Sequence, residues 1–91
     1  MDFSWDEKKR RGNLGKHRLD FVDAERVFCG PTVAWLDVRF EYGEPRFIAY
    51  GLLNGRVVAV VYTETPAAIR IISMRKATQR EETHYFESFK D

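Results

Sequence analysis

The spacing of apolar and polar residues predicts a short strand and then a helix at the start of the chain. Residues 3–5 alternate apolar, polar and apolar side chains, as a strand with one buried face does. Asp6 has the side chain of an N-cap, and the helix that it starts runs to about His17. Gly12 and Gly15 each weaken this helix by roughly 1 kcal/mol relative to alanine. We therefore expect either tertiary contacts that hold it or a close backbone approach that needs the glycines.

A second helix is predicted soon after the first. Asp20 has the side chain of its N-cap. Four apolar residues follow at the spacing of one helical face, which packs on a core: Phe21, Ala24, Val27 and Phe28. Gly30 and Pro31 end the helix, because glycine tolerates the backbone conformation that follows a helix and proline cannot continue one.

The sequence then takes on the composition of a sheet. β-branched and aromatic residues, separated by turn residues, predict four strands at residues 33–40, 46–53, 56–63 and 69–73. Asn54 and Gly55 form the strongest short hairpin signal, and they join the second and third of these strands. Residues 57–61 are almost wholly apolar, so we place that strand at the centre of the sheet with both faces covered.

The last predicted element is a helix that begins with a capping box. Thr78 and Glu81 have the spacing at which each side chain binds the backbone N–H of the other. Tyr85, Phe86 and Phe89 share a face that docks on the sheet. The order β-α-α-β-β-β-β-α predicts an α+β fold of one domain over residues 1–91. Two N-terminal helices and one C-terminal helix pack on a mainly antiparallel sheet.

Composition narrows the class of protein. A chain of 91 residues, 44% of them hydrophobic, suits one small globular domain. Cys29 is the only cysteine and the two histidines stand far apart, so we expect no disulfide, no metal site and no cofactor. The N-terminus lacks the apolar run of a signal peptide, and no apolar run approaches the ~18 residues of a membrane span. We expect a soluble, cytoplasmic protein that does not bind a membrane.

Positive charge is concentrated in two segments although the net charge is only +1. Residues 8–18 contain six lysines and arginines and no acid. Residues 70–80 also lack an acid and pass from a strand, through a predicted basic loop with Arg75 and Lys76, to the capped helix start. Cations next to free helix N–H groups bind anions, so this turn is a candidate anion site. The alternative is that both segments are solvated faces.

Several motifs occur in order over about residues 3–85. At the N-terminus they are Phe3-x-Trp5-Asp6-x-x-Lys9-x-x-x-Asn13-x-x-Lys16-His17 and Phe21-x-x-Ala24-x-x-Val27-Phe28. In the middle they are Glu44-x-Arg46-Phe47-x-x-x-Gly51 and Val60-x-Tyr62-Thr63-Glu64. At the C-terminus the motif is Arg70-Ile71-Ile72-Ser73-x-Arg75-Lys76-Ala77-Thr78-x-x-Glu81. In this order and spacing the chain resembles the BrnT toxins, the ribonuclease halves of BrnT/BrnA type II toxin–antitoxin pairs and distant structural relatives of the RelE toxins.

The resemblance implies a RelE-like fold and metal-independent cleavage of RNA that inhibits translation. It also implies neutralisation by a cognate BrnA-like antitoxin with a ribbon-helix-helix part, through which alone the toxin meets DNA. One departure stands out, because family members commonly carry an arginine after the Thr63-Glu64 pair. This chain has Thr65 there, in a segment 65–68 without charge. If that arginine normally touches the phosphate, activity here is weak or absent.

The chemistry of RNA cleavage assigns the candidate residues their roles. A base removes the proton of the 2′-OH, an acid protonates the leaving 5′-oxygen, and cations hold the charge on the phosphoryl oxygens. The catalytic candidates are His17, Glu64, Arg70, Arg75 and Lys76. The RNA-binding candidates are Lys16, Arg80, Tyr62 and Trp5, of which the two aromatic residues stack on bases.

Each assignment has a structural alternative. His17 is a candidate for proton transfer because the pKa of imidazole lies near neutrality, but a histidine at a helix end is often a cap or a core contact. Glu64 is the alternative base. The arginines at 70 and 80 can instead pair with the acids at 64, 81 or 82 on a solvated face. Tyr62 and Trp5 can instead be core residues.

Two functions therefore remain open from the sequence. The first is a ribonuclease toxin that cuts RNA at the basic site. The second is a non-catalytic, degenerate toxin-like module that acts as a co-repressor with its antitoxin, which the uncharged segment 65–68 favours.

Overall fold

The computed structural model describes residues 2–90, which form a five-stranded sheet, three α-helices and a short 3₁₀ turn at Phe21–Asp23. The strands are β1 Asp2–Trp5, β2 Val33–Leu36, β3 Phe47–Leu53, β4 Arg56–Glu64 and β5 Ala68–Lys76. The helices are α1 Glu7–His17, α2 Ala24–Cys29 and α3 Gln79–Glu87. The predicted α+β class and element order are confirmed.

The sheet is mixed, with strand order β1-β5-β4-β3-β2. Strands β2 to β5 pair antiparallel with their neighbours, and β1 lies parallel to β5 at one edge. The prediction of a mainly antiparallel sheet is confirmed, and β1 is the parallel exception. The β3–β4 hairpin turns at Asn54 and Gly55, whose positive φ angles of 52° and 80° are those of a tight hairpin turn.

Two hydrophobic clusters cover the two faces of the sheet. On the face that we call the α1/α2 face, Phe21, Ala24 and Val27 pack on residues of β3, β4 and β5. On the α3 face, Tyr85 packs on residues of β3 and β4. All five residues from 57 to 61 are buried, which confirms the prediction of a central strand covered on both sides.

The N-caps form as the sequence predicts. The carboxylate of Asp6 accepts the backbone N–H of Lys9 at 3.1 Å, and that of Asp20 accepts the N–H of Val22 at 3.1 Å. Thr78 and Glu81 form the capping box of α3, with both reciprocal bonds present. Only the extent of the second helix differs, because its first turn is the 3₁₀ turn.

Strand β2 ends at Leu36 rather than at the predicted residue 40. The carboxylate of Asp37 accepts the backbone N–H of Arg39 at 3.1 Å, and an aspartate that binds the backbone two residues on makes a turn instead of a strand. Val38 and Phe40 therefore leave the sheet and are 77% and 70% exposed.

Strand β5 runs three residues past the predicted end at Ser73. Its pairing with β4 continues as Val60↔Met74, Ala59↔Arg75 and Val58↔Lys76. The prediction that Arg75 and Lys76 lie in a loop is therefore wrong, because β4 is long enough to pair with them. Adjacent strand residues point to opposite faces, so their side chains diverge.

The C-terminal helix docks on the sheet through fewer residues than predicted. Tyr85 is 3% exposed, and its hydroxyl donates to the carbonyl of Pro31 at 2.7 Å. Phe86 and Phe89 pack against the Tyr85 ring but are each 49% exposed. The predicted three-residue docking face is thus a single anchor with two half-exposed rings beside it.

Candidate functional site

The C-terminal ends of α1 and β5 meet and form an open groove of about 500 Å³. We call it the basic groove. Its lining residues are Lys16, His17, Arg18, Arg75, Lys76 and Thr78. The two basic segments of the sequence therefore come together here, about 60 residues apart in the chain. Four of the predicted site residues, at positions 16, 17, 75 and 76, share this place.

A buried asparagine brings the two segments into contact. The Nδ2 of Asn13 donates to the carbonyl of Leu19 at 3.0 Å, and its Oδ1 accepts the backbone N–H of Met74 at 3.1 Å. The bond to Oδ1 gives the backbone N–H of Met74 a partner at a point where β1 no longer supplies one, because the parallel pairing of β1 with β5 stops at Trp5↔Ile71. Asn13 thus fixes the last turn of α1 beside the end of β5, and it positions the groove.

The end of α1 is a favourable place for cations. Lys16 and His17 lie in its last turn, where the helix carbonyls carry partial negative charge. Arg18 follows as the C-cap in the left-handed conformation, with a φ of 60°, and its N–H donates to the carbonyl of Leu14 at 3.0 Å. Sequence reasoning missed Arg18 as a groove residue. The run of three basic side chains at the predicted helix end was the signal for it.

Arg75 forms an ion pair with Glu81, which the sequence suggested as a partner of other arginines. Its Nη1 and Nη2 donate to the two carboxylate oxygens of Glu81 at 2.7 and 2.9 Å. The hydroxyl of Tyr50 donates to the same carboxylate at 2.7 Å. The charge of Arg75 is therefore largely compensated, and on the α3 face it is a structural ion pair as well as a candidate cation.

This network shifts the pKa values of all three members. The hydrogen bonds from Arg75 lower the pKa of Glu81 to about 2, against its burial. The same bonds raise the pKa of Arg75. Burial, with the bond to Glu81, raises the pKa of Tyr50 to about 12. All three groups therefore keep their native charge states across the physiological range.

Glu64 and Arg70 lie at the other end of β5. In the β4–β5 register Glu64 pairs with Ile69 and Thr63 pairs with Arg70. Arg75 lies five residues after Arg70 along β5, which is a distance of roughly 17 Å. The predicted single site is therefore divided in two, because the strand that carries both cations is extended rather than folded back.

The remaining predicted RNA-binding residues lie outside the basic groove. Arg80 is exposed in the first turn of α3 and lines a small apolar hollow with Trp35 and His84. Tyr62 is 5% exposed and lies between the rings of Phe28 and Phe47, at centroid distances of 5.1 and 5.6 Å. Tyr62 is therefore packed in the core, which is the structural alternative that the sequence left open.

Trp5 is also mainly a core residue. It is half-buried, and its ring meets that of Phe21 edge-on at 6.5 Å. It packs against the cluster of the α1/α2 face, which is the structural alternative that the sequence left open.

No three histidine, cysteine, aspartate or glutamate side chains in residues 2–90 come together as a metal site would require. None of the helices described is long and apolar enough to cross a membrane.

The segment in which the chain departs from the expected motif is a tight uncharged turn. The Thr65 hydroxyl accepts the backbone N–H of Ala68 at 3.0 Å, and the Thr65 N–H donates to the carbonyl of the same residue at 2.9 Å. A threonine hydroxyl stabilises such a turn where an arginine side chain would extend into solvent. The nearest cation on the paired strands is Arg70.

The fold is an α+β domain in which the N-terminal helix and the last strand gather cations in one groove, and such a groove is a candidate anion-binding site. The family comparison gives the particular family. The chain matches the BrnT_toxin model over residues 5–81, described as the ribonuclease toxin, BrnT, of type II toxin-antitoxin system. The match spans most of the chain, so the protein belongs to this family of ribonuclease toxins, as the motifs predicted. A comparison with curated proteins finds no match.

Proposed function

We propose that the chain is an endoribonuclease that cleaves RNA at the basic groove without a metal ion and so inhibits translation. The observation that carries the proposal is the convergence of Lys16, His17 and Lys76 from two distant segments in one open groove. Membership of a ribonuclease toxin family supports RNA as the substrate. Cations and a proton-transfer group are the parts that RNA cleavage needs, and these three side chains supply both.

The proposed reaction uses the substrate's own nucleophile. A base takes the proton of the 2′-OH, the 2′-oxygen bonds to the adjacent phosphorus, and the bond from phosphorus to the 5′-oxygen breaks. The 5′-oxygen then receives a proton, which leaves a 2′,3′-cyclic phosphate and a 5′-hydroxyl. In our proposal His17 transfers protons, and Lys16 and Lys76 stabilise the charge on the phosphoryl oxygens.

The remaining catalytic candidates have subordinate or alternative roles. Arg75 forms part of the wall of the groove. Its ion pair with Glu81 weakens its attraction for a phosphate. Glu64 is the alternative base, with Arg70 as its cation at the far end of β5. Arg18 adds a cation at the groove that the sequence did not predict.

Substitution of the groove residues tests the proposal. His17→Ala and Lys76→Ala should each lower the rate of RNA cleavage by the purified chain, with about 10²- to 10⁴-fold expected for loss of proton transfer. Arg56→Ala is the matched control, because Arg56 is an exposed arginine at the start of β4 without an ion pair in residues 2–90. If His17→Ala cuts like the wild type and Glu64→Gln does not, the chemistry lies at the other end of β5.

We also propose that a BrnA-like antitoxin with a ribbon-helix-helix part neutralises this toxin and carries it to DNA. The type II toxin-antitoxin description of the family supports an antitoxin partner. Co-expression with the protein encoded next to it should abolish both growth arrest and RNA degradation. The purified toxin alone should not retard operator DNA in a gel, and the complex should. Retardation by the toxin alone would contradict this part of the proposal.

One observation favours the non-catalytic co-repressor as a second candidate. The turn at residues 65–68 has no charge, and Arg75 is already paired. The double substitution Arg75→Ala/Lys76→Ala separates the two functions, because a nuclease would lose toxicity while a binding module would keep its affinity for the antitoxin. An inert wild-type chain that still represses its operon with the antitoxin would establish the co-repressor.

A further inference from the structure

Two arginines flank Thr63 on the α3 face of the sheet. Thr63 pairs with Arg70 on one side. Arg46 lies on its other side, because it directly precedes Phe47, which pairs with Tyr62 of β4. The backbone bond from Asp37 N to the carbonyl of Arg46, at 2.7 Å, extends the β2–β3 ladder by one residue and so keeps Arg46 extended at the end of β3. The neighbours Phe47 and Tyr62 point into the α1/α2 core, so Arg46, Thr63 and Arg70 project from the opposite face.

The distances between these residues suit a shared anion. Neighbouring strands lie about 4.8 Å apart, so the backbones of Arg46 and Arg70 are separated by roughly 10 Å. Thr63 between them is short and only 5% exposed, so neighbouring atoms cover it, and only the longer arginine side chains on either side can reach an anion beyond it. Two guanidinium groups that approach from either side can bind the oxygens of one phosphate.

The guanidinium of Arg46 has an unused donor. Its Nε is buried and has no hydrogen-bond partner, the only such side-chain atom in residues 2–90. The carboxylate of Glu44 lies 3.9 Å from it, which is an ion-pair distance but too long for a hydrogen bond. The ring of Tyr42 lies under the guanidinium at 4.1 Å and holds it in place. A buried donor without a hydrogen-bond partner costs free energy unless a ligand binds it.

Asp37, the acid next to Arg46 on the β2 side, is fully occupied by other groups. Asp37 receives two hydrogen bonds from the Arg39 side chain, both at 2.8 Å, and one from the Tyr42 hydroxyl at 3.0 Å. The bonds from Arg39 lower the pKa of this carboxyl, so it remains charged and bound to Arg39. Asp37 therefore does not neutralise Arg46 by a direct contact.

Arg70 supplies the second cation. It is exposed and makes no ion pair within residues 2–90. Asp6 lies close enough for Arg70 to contribute to lowering its pKa, but that carboxylate already caps α1 through the N–H of Lys9. The arrangement thus combines a partly buried guanidinium that Tyr42 orients with an exposed one, and neither has an acid hydrogen-bonded to it.

We propose that Arg46 and Arg70 form a second phosphate-binding site, on the α3 face, that holds a backbone phosphodiester of the RNA substrate away from the basic groove. This inference rests on the proposed function, since it takes RNA as the ligand. The site would fix the direction of the RNA strand along β5. It also places a second arginine, Arg46, at the same site as Arg70, which the sequence did not predict because the two are 24 residues apart.

RNA binding without cleavage tests this site. The probe is a 2′-O-methyl oligonucleotide, which lacks the attacking hydroxyl, and the affinity of the full chain for it is measured at several salt concentrations. Arg70→Ala should weaken binding several-fold and reduce the slope of log K against log salt by roughly 0.7, the value for one phosphate contact on a single strand. Arg46→Lys should also weaken binding, because it keeps the charge but loses the guanidinium fork. Arg56→Ala is the control and should bind as the wild type does.

A phosphate-by-phosphate scan locates the contact. Each phosphate of the oligonucleotide is replaced in turn by an uncharged methylphosphonate. One replacement should weaken binding to the wild type and have no further effect on Arg70→Ala, since both remove the same contact. A thermal melt accompanies every variant. If Arg46→Lys does not fold, Arg70→Ala and its scan decide the question alone.

The outcomes separate this site from the proposed function. If the wild type cuts RNA while Arg70→Ala and Arg46→Lys bind the oligonucleotide as well as Arg56→Ala does, the second site is wrong and the ribonuclease stands. If the variants lose affinity for the antitoxin and none for RNA, the anion belongs to the antitoxin and the second site is again wrong. If the wild type neither binds nor cuts RNA, both proposals fail.

Discussion

At the scale of single residues, the amide of Asn13 has the largest structural consequence for the site. It joins α1, the segment after it and β5 through bonds to the carbonyl of Leu19 and the N–H of Met74. The sequence shows Asn13 only as one position of a motif. Its bond to Met74 spans 61 residues, and a contact between segments so distant has no local pattern from which it can be predicted.

Asn13→Ala should destabilise the fold by about 1 to 3 kcal/mol, because the N–H of Met74 is then left buried without a partner. Chemical denaturation of the purified chain measures the change. Gln79→Ala is the control, an exposed amide on α3 that should change stability by less than about 0.5 kcal/mol. RNA cleavage by Asn13→Ala should fall as well, and an unchanged stability would contradict the role of the amide.

The ion pair of Glu81 makes stability depend on pH in the acid range. Its pKa falls from an ordinary value of 4.5 to about 2 in the folded chain. A carboxyl whose folded pKa is depressed stabilises the fold above its unfolded pKa and loses that effect as the pH falls through the folded value. The free energy of unfolding should therefore decrease between about pH 4.5 and pH 2.

Glu81→Gln should remove part of this dependence. At pH 7 the variant should be less stable by about 1 to 3 kcal/mol, and its stability should decline less than that of the wild type on acidification. Asp37, whose pKa is also lowered, accounts for part of the decline that remains. Glu87→Gln, an exposed carboxyl on the same helix, should leave the acid profile unchanged. Parallel acid profiles for the wild type and Glu81→Gln would show that the ion pair does not stabilise the fold.

At the scale of elements, most helices and strands were predictable, because caps and hydrophobic spacing are local signals. Asp6, Thr78 and the Asn54-Gly55 turn each form as the sequence predicts. The end of β5 was not predictable. Arg75 and Lys76 are polar and precede a helix cap, so their sequence predicts a loop. They lie in the sheet because β4 is long enough to pair with them.

The glycines of α1 and β3 should respond oppositely to the same substitution. A Cβ at Gly51 would lie 2.7 Å from Cγ1 of the buried Val27, so Gly51→Ala should cost about 1 to 3 kcal/mol. A Cβ at Gly12 would meet nothing within 4 Å, so Gly12→Ala should stabilise α1 by about 0.5 to 1 kcal/mol. Thermal melts of the two variants measure the difference. A destabilised Gly12→Ala would mean that the helix needs this glycine after all.

At the scale of the whole molecule, the fold both joins and divides the residues that the sequence proposed. It joins the end of α1 to the end of β5 and so builds the basic groove. It sends Glu64 and Arg70 to the opposite end of the sheet. The family and the two basic segments could be predicted from motifs and charge. The division could not, because it depends on which residues of β4 and β5 pair, and local sequence patterns do not reveal that register.

The chemistry of the cleaved ends tests the central claim most directly. The purified chain is incubated with an RNA oligonucleotide in the presence of a metal chelator, and the products are identified by mass spectrometry. We expect a 2′,3′-cyclic phosphate and a 5′-hydroxyl from the wild type, no cleavage where the reacting nucleotide is 2′-deoxy, and a large loss of rate in His17→Ala but not in Arg56→Ala. Uncut RNA with the wild type, or cleavage of the 2′-deoxy substrate, would contradict the proposed mechanism.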